Sequence, residues 1–182
     1  GLGIERLAEY ARMLGFGEAT GIDLSGEAAG LVPSDRWKRQ TYGERWVTGD
    51  TYNAAIGQGY ILATPLQVLN ATAAVANGGT LHRPQLVHSV IDAQGNTVRT
   101  LVPEPLRELS MGEGDLELVR RGMLEAVTQG TAWLARLPGV DVAGKTGTAE
   151  YPGVDEEGNL ILDEEGNLPT HAWFTAFAPY DD

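Results

Sequence analysis

The chain has 182 residues, 42% apolar and 21% charged, enough for one globular domain of ordinary soluble composition. Its 25 acids against 13 Lys and Arg leave a net charge of −12, which excludes the basic face that a nucleic-acid partner needs. No cysteine is present, so disulfides and thiolate-held metals are excluded, and no apolar run reaches the ~20 residues of a membrane span.

The first predicted element is a helix over residues 2–14, where Ile4, Leu7, Ala8, Ala11 and Leu14 share one face and Gly15 and Gly17 stop it. Residues 18–60 show turn residues and little periodicity; Trp37, Tyr42, Trp46, Tyr52 and Tyr60 anchor this stretch to the core or stack on a ligand. A structureless loop of that length is unusual, so short elements are expected inside it, one of them a helical turn at 54–56 ended by Gly57 and Gly59. The clearest helix covers residues 64–77. Thr64 and Gln67 form a capping box, Pro65 takes the first helical position, and the apolar residues run nearly all round, which predicts burial.

Residues 80–103 read as two short strands joined by a turn at Ala93-Gln94-Gly95-Asn96. His82 and His88 lie here without the partners a metal site needs, and no metal or cofactor is expected. Asp115 is expected to cap a further helix carried by Leu116, Val119, Met123, Ala126 and Val127, ended by Gly130 and followed by a turn or two over 131–137. A strand then spans 140–150. The acidic run Asp155-Glu-Glu-Gly-Asn-Leu160 recurs as Asp163-Glu-Glu-Gly-Asn-Leu168; without the alternating ligand spacing of a calcium loop it reads as solvated hairpin tips. Residues 172–178 form a second strand, antiparallel to the first. The fold class is α+β, with helices packed on an antiparallel sheet.

The chemistry concentrates in VDVAGKTGTAE, residues 140–150. Lys145, Thr146, Gly147 and Thr148 place a cation, two hydroxyls and a glycine backbone within four residues, a set able to bind a carboxylate. The same residues also suit an edge strand with a solvated lysine. A third reading comes from Gly139 to Thr146, which fits the phosphate-loop pattern G-x-x-x-x-G-K-[ST]. That motif needs a loop and then a helix N-terminus facing the phosphates, whereas VDVA reads as strand and Tyr151-Pro152-Gly153 cannot open a helix.

Several long runs together resemble one family. VAGKTGTAE, followed after an insertion by HAWFTAFAPY, is similar to the Lys-Thr-Gly strand and its antiparallel partner in the transpeptidase domain of penicillin-binding proteins. TGIDLSGEAAGLVPS at 20–34 and GDTYNAAIGQGYILATPLQVLNATAAVANGGTLHRPQLV at 49–87 match in the same order, and the likeness covers the whole chain. GDTYNAAIGQGY resembles the class B, elongation-type members, which work in cell-wall synthesis and cell shape.

The resemblance implies a serine acyl-transferase that acts on peptidoglycan stem peptides ending in D-Ala-D-Ala and is acylated by β-lactams. It implies an incomplete transpeptidase fold for residues 1–182: the C-terminal portion of one domain, without the upstream nucleophile region and the final strand. The parent would stand on the extracytoplasmic face of the bacterial inner membrane, anchored by an N-terminal helix. None of Ser25, Ser34, Ser89 and Ser110 has Lys three on or Asn two on, so neither Ser-x-x-Lys nor Ser-x-Asn is present and these residues alone are expected to be inactive. Only the third motif carries over. Lys145 and Thr148 would be catalytic, the Thr148 N–H forming half of an oxyanion hole; Thr146, Gly147 and Thr148 would bind substrate. Partners would be the stem peptide, β-lactams and the rest of the parent chain, with self-association through unpaired sheet edges also expected. The alternatives are a non-catalytic cell-wall binding or scaffolding module and, more remotely, the phosphate-loop nucleotide binder.

Overall fold

The computed structural model describes residues 2–181. Among these residues five α-helices, one 3-10 turn and six strands follow one another as α1 (Gly3–Met13), α2 (Asp35–Tyr42), α3 (Thr48–Ala55), α4 (Pro65–Ala76), β1 (Thr80–His82), β2 (Ser89–Ile91), β3 (Thr97–Thr100), β4 (Pro105–Glu108), α5 (Glu113–Thr128), the 3-10 turn Trp133–Ala135 expected within 131–137, β5 (Ala143–Glu150) and β6 (Thr170–Phe177). The architecture is the expected mixture of helices and antiparallel strands. The strands form three separate two-stranded ladders, β1 with β4, β2 with β3 and β5 with β6.

Helix α1 buries Ile4 and Ala8, on the face that its periodicity marks. Helix α4 starts as its sequence dictates: Thr64 Oγ1 accepts from the Gln67 N–H at 3.1 Å, and Gln67 Oε1 accepts from the Thr64 N–H at 2.9 Å. Burial on α4 is one-sided rather than all round. Leu69 is 58% exposed, whereas Gln67 is buried and donates through Nε2 to the carbonyls of Glu18 (2.7 Å) and Ala29 (2.9 Å). A polar side chain at the helix start thus fastens the long N-terminal loop, because its amide replaces the water those carbonyls lose.

That loop hides two helices. Ser34 Oγ accepts from the Trp37 N–H at 3.1 Å and opens α2, and Gly43, in the left-handed conformation at φ 73°, closes it. Helix α3 extends the expected turn at 54–56 back to Thr48. Asp50, at its start, accepts from the Val47 N–H at 2.8 Å and from Lys38 Nζ at 2.7 Å. Burial pushes the Asp50 carboxyl up, but the Lys38 ammonium and the Val47 N–H outweigh it, so the group sits below the ordinary carboxylate range. Lys38 is only 4% exposed and lies 5.5 Å from the centre of the Tyr60 ring. Trp37, Tyr42 and Tyr60 meet at centroid distances of 5.2–5.6 Å, so these aromatics hold the loop together; Tyr52, 69% exposed, stands apart.

Two boundaries move. Helix α5 begins at Glu113 with Gly112 as its N-cap, so Asp115 lies inside the first turn rather than capping it. Strands β1 and β4 pair with each other, and both are additional to the two strands expected around the turn at 93–96. One buried cluster gathers Ala74, Leu81, Leu109 and Leu116 between α4, β1 and α5; another gathers Val127, Ala132 and Val142 with Ala176 packed against it, beneath the β5–β6 ladder.

The two acidic repeats are turns of one design, and a third copy closes β2–β3. In Asp92–Asn96, Asp155–Asn159 and Asp163–Asn167 the leading Asp accepts through Oδ1 from the N–H groups two and four residues on, at 2.8–3.0 Å. Its Oδ2 accepts from the closing Asn amide at 3.0–3.2 Å. Both oxygens of each Asp are engaged inside its own turn, so these carboxylates serve to order the local backbone.

Candidate functional site: the open edge of strand β5

Strands β5 and β6 pair in unbroken register from Ala143 with Phe177 to Glu150 with Thr170. Just beyond the ladder the Tyr151 N–H donates to the Pro169 carbonyl at 3.0 Å. Backbone groups alternate sides along a strand, so the odd-numbered residues of β5 turn N–H and C=O toward β6, and Thr146 and Thr148 turn theirs to the opposite, unpaired edge. No described residue accepts from the N–H of Thr146 or Thr148.

The two threonines differ in their surroundings. Thr146 Oγ1 is 2.9 Å from Thr131 Oγ1, in the segment that leaves α5. The Thr148 carbonyl accepts from Gln58 Nε2 at 3.1 Å, across 90 residues of sequence. Lys145 is exposed and donates from Nζ to the Thr146 carbonyl at 2.6 Å; no described carboxylate pairs with it. Its register partner Thr175 is tied by Oγ1 to Thr72 Oγ1 of α4 at 2.7 Å.

The glycines of β5 do different work. A Cβ at Gly144 would stand 2.7 Å from Phe174 Cζ and 2.9 Å from the Thr175 carbonyl, so this glycine exists to admit the Phe174 ring. A Cβ at Gly147 would reach only Trp173 Cβ, at 3.4 Å, so the chain itself does not crowd this position.

Of the residues singled out in the sequence, the structure therefore brings Lys145, Thr146, Gly147 and Thr148 to one exposed edge. The phosphate-loop reading fails: Gly144, Lys145 and Thr146 lie within β5, and no helix follows them before β6. Gln58 and Thr131 were not singled out. Gln58 carried a faint signal, a polar residue set between Gly57 and Gly59; Thr131 carried none beyond its place after Gly130. Among the described residues no three His, Asp or Glu gather as metal ligands, and no helix is long and apolar enough to cross a membrane.

The β5 edge thus presents the N–H groups of Thr146 and Thr148 to an unpaired side of the strand, beside a lysine with no carboxylate partner among the described residues. The chain belongs to the penicillin binding protein transpeptidase domain family, whose model matches residues 1–182. It is 35% identical over 182 residues to the peptidoglycan D,D-transpeptidase MrdA of Acinetobacter baumannii, covering 99% of this chain and 27% of that protein. It is 37% identical over 188 residues to MrdA of Haemophilus influenzae, covering 100% of this chain and 28% of that one. The chain thus spans little more than a quarter of these relatives.

Solved structures agree. The penicillin-binding protein PBP2 of Helicobacter pylori, determined in complex with MreC, superposes with a TM-score of 0.76 at 36% identity over 99% of this chain and 30% of that one. PBP2 of Pseudomonas aeruginosa in complex with WCK 5153 gives 0.75 at 34% identity, over 99% of this chain and 37% of its own.

Proposed function

We propose that this chain is one wall of the active site of a peptidoglycan D,D-transpeptidase, a serine acyl-transferase acting on stem peptides that end in D-Ala-D-Ala and acylated by β-lactams. The observation that carries the reading is the outward orientation of the Thr146 and Thr148 N–H groups beside a lysine without a carboxylate partner. The kinship with MrdA supports the reaction class.

In this reading Lys145 supplies positive potential and Thr148, through its N–H, half of the oxyanion hole. The hydroxyls of Thr146 and Thr148 hold the terminal carboxylate, and Gly147 leaves room for its approach. A preorganised donor of this kind is worth roughly a hundred- to thousandfold in rate because it meets charge that develops only in the transition state. The nucleophilic serine belongs to the parent chain outside residues 1–182, and the parent works at the extracytoplasmic face of the bacterial inner membrane.

The test is labelling by fluorescent penicillin of the full-length parent, of its Lys145→Ala variant and of residues 1–182 alone. Labelling of the parent, its sharp loss in the variant and silence of the isolated residues are expected. An unlabelled parent would move the chain to the non-catalytic cell-wall module. Covalent labelling of the 182 residues would place a nucleophile within them and overturn the division of the site.

A further inference from the structure

Along the open edge of β5 the outward groups run N–H of Thr146, C=O of Thr146, N–H of Thr148, C=O of Thr148. An ordinary edge of this kind is neutral: each donor has an acceptor beside it, and the carbonyl oxygens repel a carboxylate or an oxyanion. This edge is not ordinary, because both carbonyls are already satisfied. The Thr146 carbonyl takes Lys145 Nζ at 2.6 Å and the Thr148 carbonyl takes Gln58 Nε2 at 3.1 Å. What remains on this middle stretch, between the outward groups of Gly144 and Glu150, is two N–H groups without an acceptor among the described residues and a positive charge.

Gln58 is held for this purpose. It follows the end of α3, where the Gln58 N–H donates to the Asn53 carbonyl at 2.9 Å. Gly57 and Gly59 on either side sit at φ 75° and 73°, a backbone that other residues rarely adopt, and a Cβ at Gly59 would stand 3.1 Å from Asn53 Cβ. Helix α3 is itself pinned at its start by the Asp50–Lys38 pair. The turn therefore aims one carboxamide at one carbonyl from a fixed base.

We infer that Gln58 is a positioning residue for anion recognition: by capping the Thr148 carbonyl it leaves the Thr146–Thr148 stretch of the β5 edge dominated by donors and fixes the peptide whose neighbour carries the Thr148 N–H. The inference rests on the transpeptidase reading of this edge. A glutamine is suited to the task because it donates without adding charge, so the field at the edge stays under the control of Lys145.

The test uses the full-length parent and a fluorescent penicillin, with the second-order acylation rate measured for wild type, Gln58→Met and Gln58→Glu. Methionine keeps the length and removes the donor, and acylation should fall roughly tenfold, about what loss of one such hydrogen bond gives, while the Tm falls by no more than about 4 °C. Glutamate aims a carboxylate at the carbonyl; its deficit should be larger at pH 7.5 and should shrink as the pH falls through 5 to about 4, where protonation restores an O–H donor. A Gln58→Met rate equal to wild type, or a Gln58→Glu to wild-type ratio that stays flat with pH, overturns the inference. A wild-type parent that does not label at all overturns the transpeptidase reading instead, so the two failures are distinct.

Discussion

The β2–β3 and β5–β6 hairpins share an antiparallel ladder and differ in what holds it. β2–β3 pairs over three positions, with a register shift between Val90 and Ile91, and its strands are largely exposed. Its closure is local: Asp92 carries the turn through bonds to Gln94 and Asn96. β5–β6 pairs over eight positions without a shift, and its ends are separated by the segment 151–169. It is held by elements remote in sequence: Thr72 of α4 on Thr175, Val127 of α5 beneath Ala176, Gln58 on Thr148. A hairpin that closes through its own turn takes its register from local bonds. One that is clamped from outside can have its free edge shaped by distant residues, and the site lies on the second.

The largest effect that tests this contrast is functional. Lys145→Ala in the full-length parent should lower acylation by fluorescent penicillin roughly a hundred- to thousandfold. Its Tm should hardly move, since Lys145 is exposed and forms no ion pair among the described residues. A variant that loses stability in step with activity would make the lysine a structural residue.

Packing comes next. Gly144→Val sets a branched side chain against Phe174 and should destabilise by about 2–3 kcal/mol, read as a lowered urea midpoint of the parent's transpeptidase domain. A smaller, paired comparison separates the hairpins directly. Val127→Ala, at 1% exposure beneath β5–β6, should cost about 2 kcal/mol, whereas Val98→Ala, at 67% exposure on β3, should stay within about 0.5 kcal/mol. Equal costs would erase the distinction between clamped and self-closed hairpins.

The smallest effect is a pH response confined to the turns. The side-chain and backbone N–H groups of Asn96 hold Asp92 below the ordinary carboxylate range; the backbone N–H groups and amides of Asn159 and Asn167 do the same for Asp155 and Asp163. A depressed folded-state value means that the contribution is present above the unfolded value and is lost as acid protonates the folded carboxylate. Amide exchange at Asn96, Asn159 and Asn167 should therefore be steady from pH 8 to pH 5 and quicken, relative to the intrinsic rate, only below about pH 4. The contact between Gln58 and the Thr148 carbonyl contains no titratable group, and its response to acid should be flat over the same range.

Short-range chemistry made much of this protein legible in its sequence. Helices α1 and α4 follow from one apolar face and one capping box, and the Lys-Thr-Gly strand and its antiparallel partner are apparent from alternation and from the family likeness. Helix α2 was not legible and α3 only as its last turn, because the first is a single capped stretch of charged and aromatic residues and the start of the second is secured by Asp50 taking a lysine from another helix. Burial of Gln67 was equally hidden: nothing near it announces that Glu18 and Ala29 will need its amide.

The sequence by itself determined which candidate residues stand together, since a cation, two hydroxyls and a glycine within four positions owe nothing to folding. Only the tertiary structure decided what those residues face. Which alternate N–H groups point outward depends on the side from which β6 pairs, and the donor on the Thr148 carbonyl comes from a glutamine 90 residues away. Hydrogen-bond direction is a property of the assembled ladder, because a strand is free to pair on either edge until its neighbours choose one.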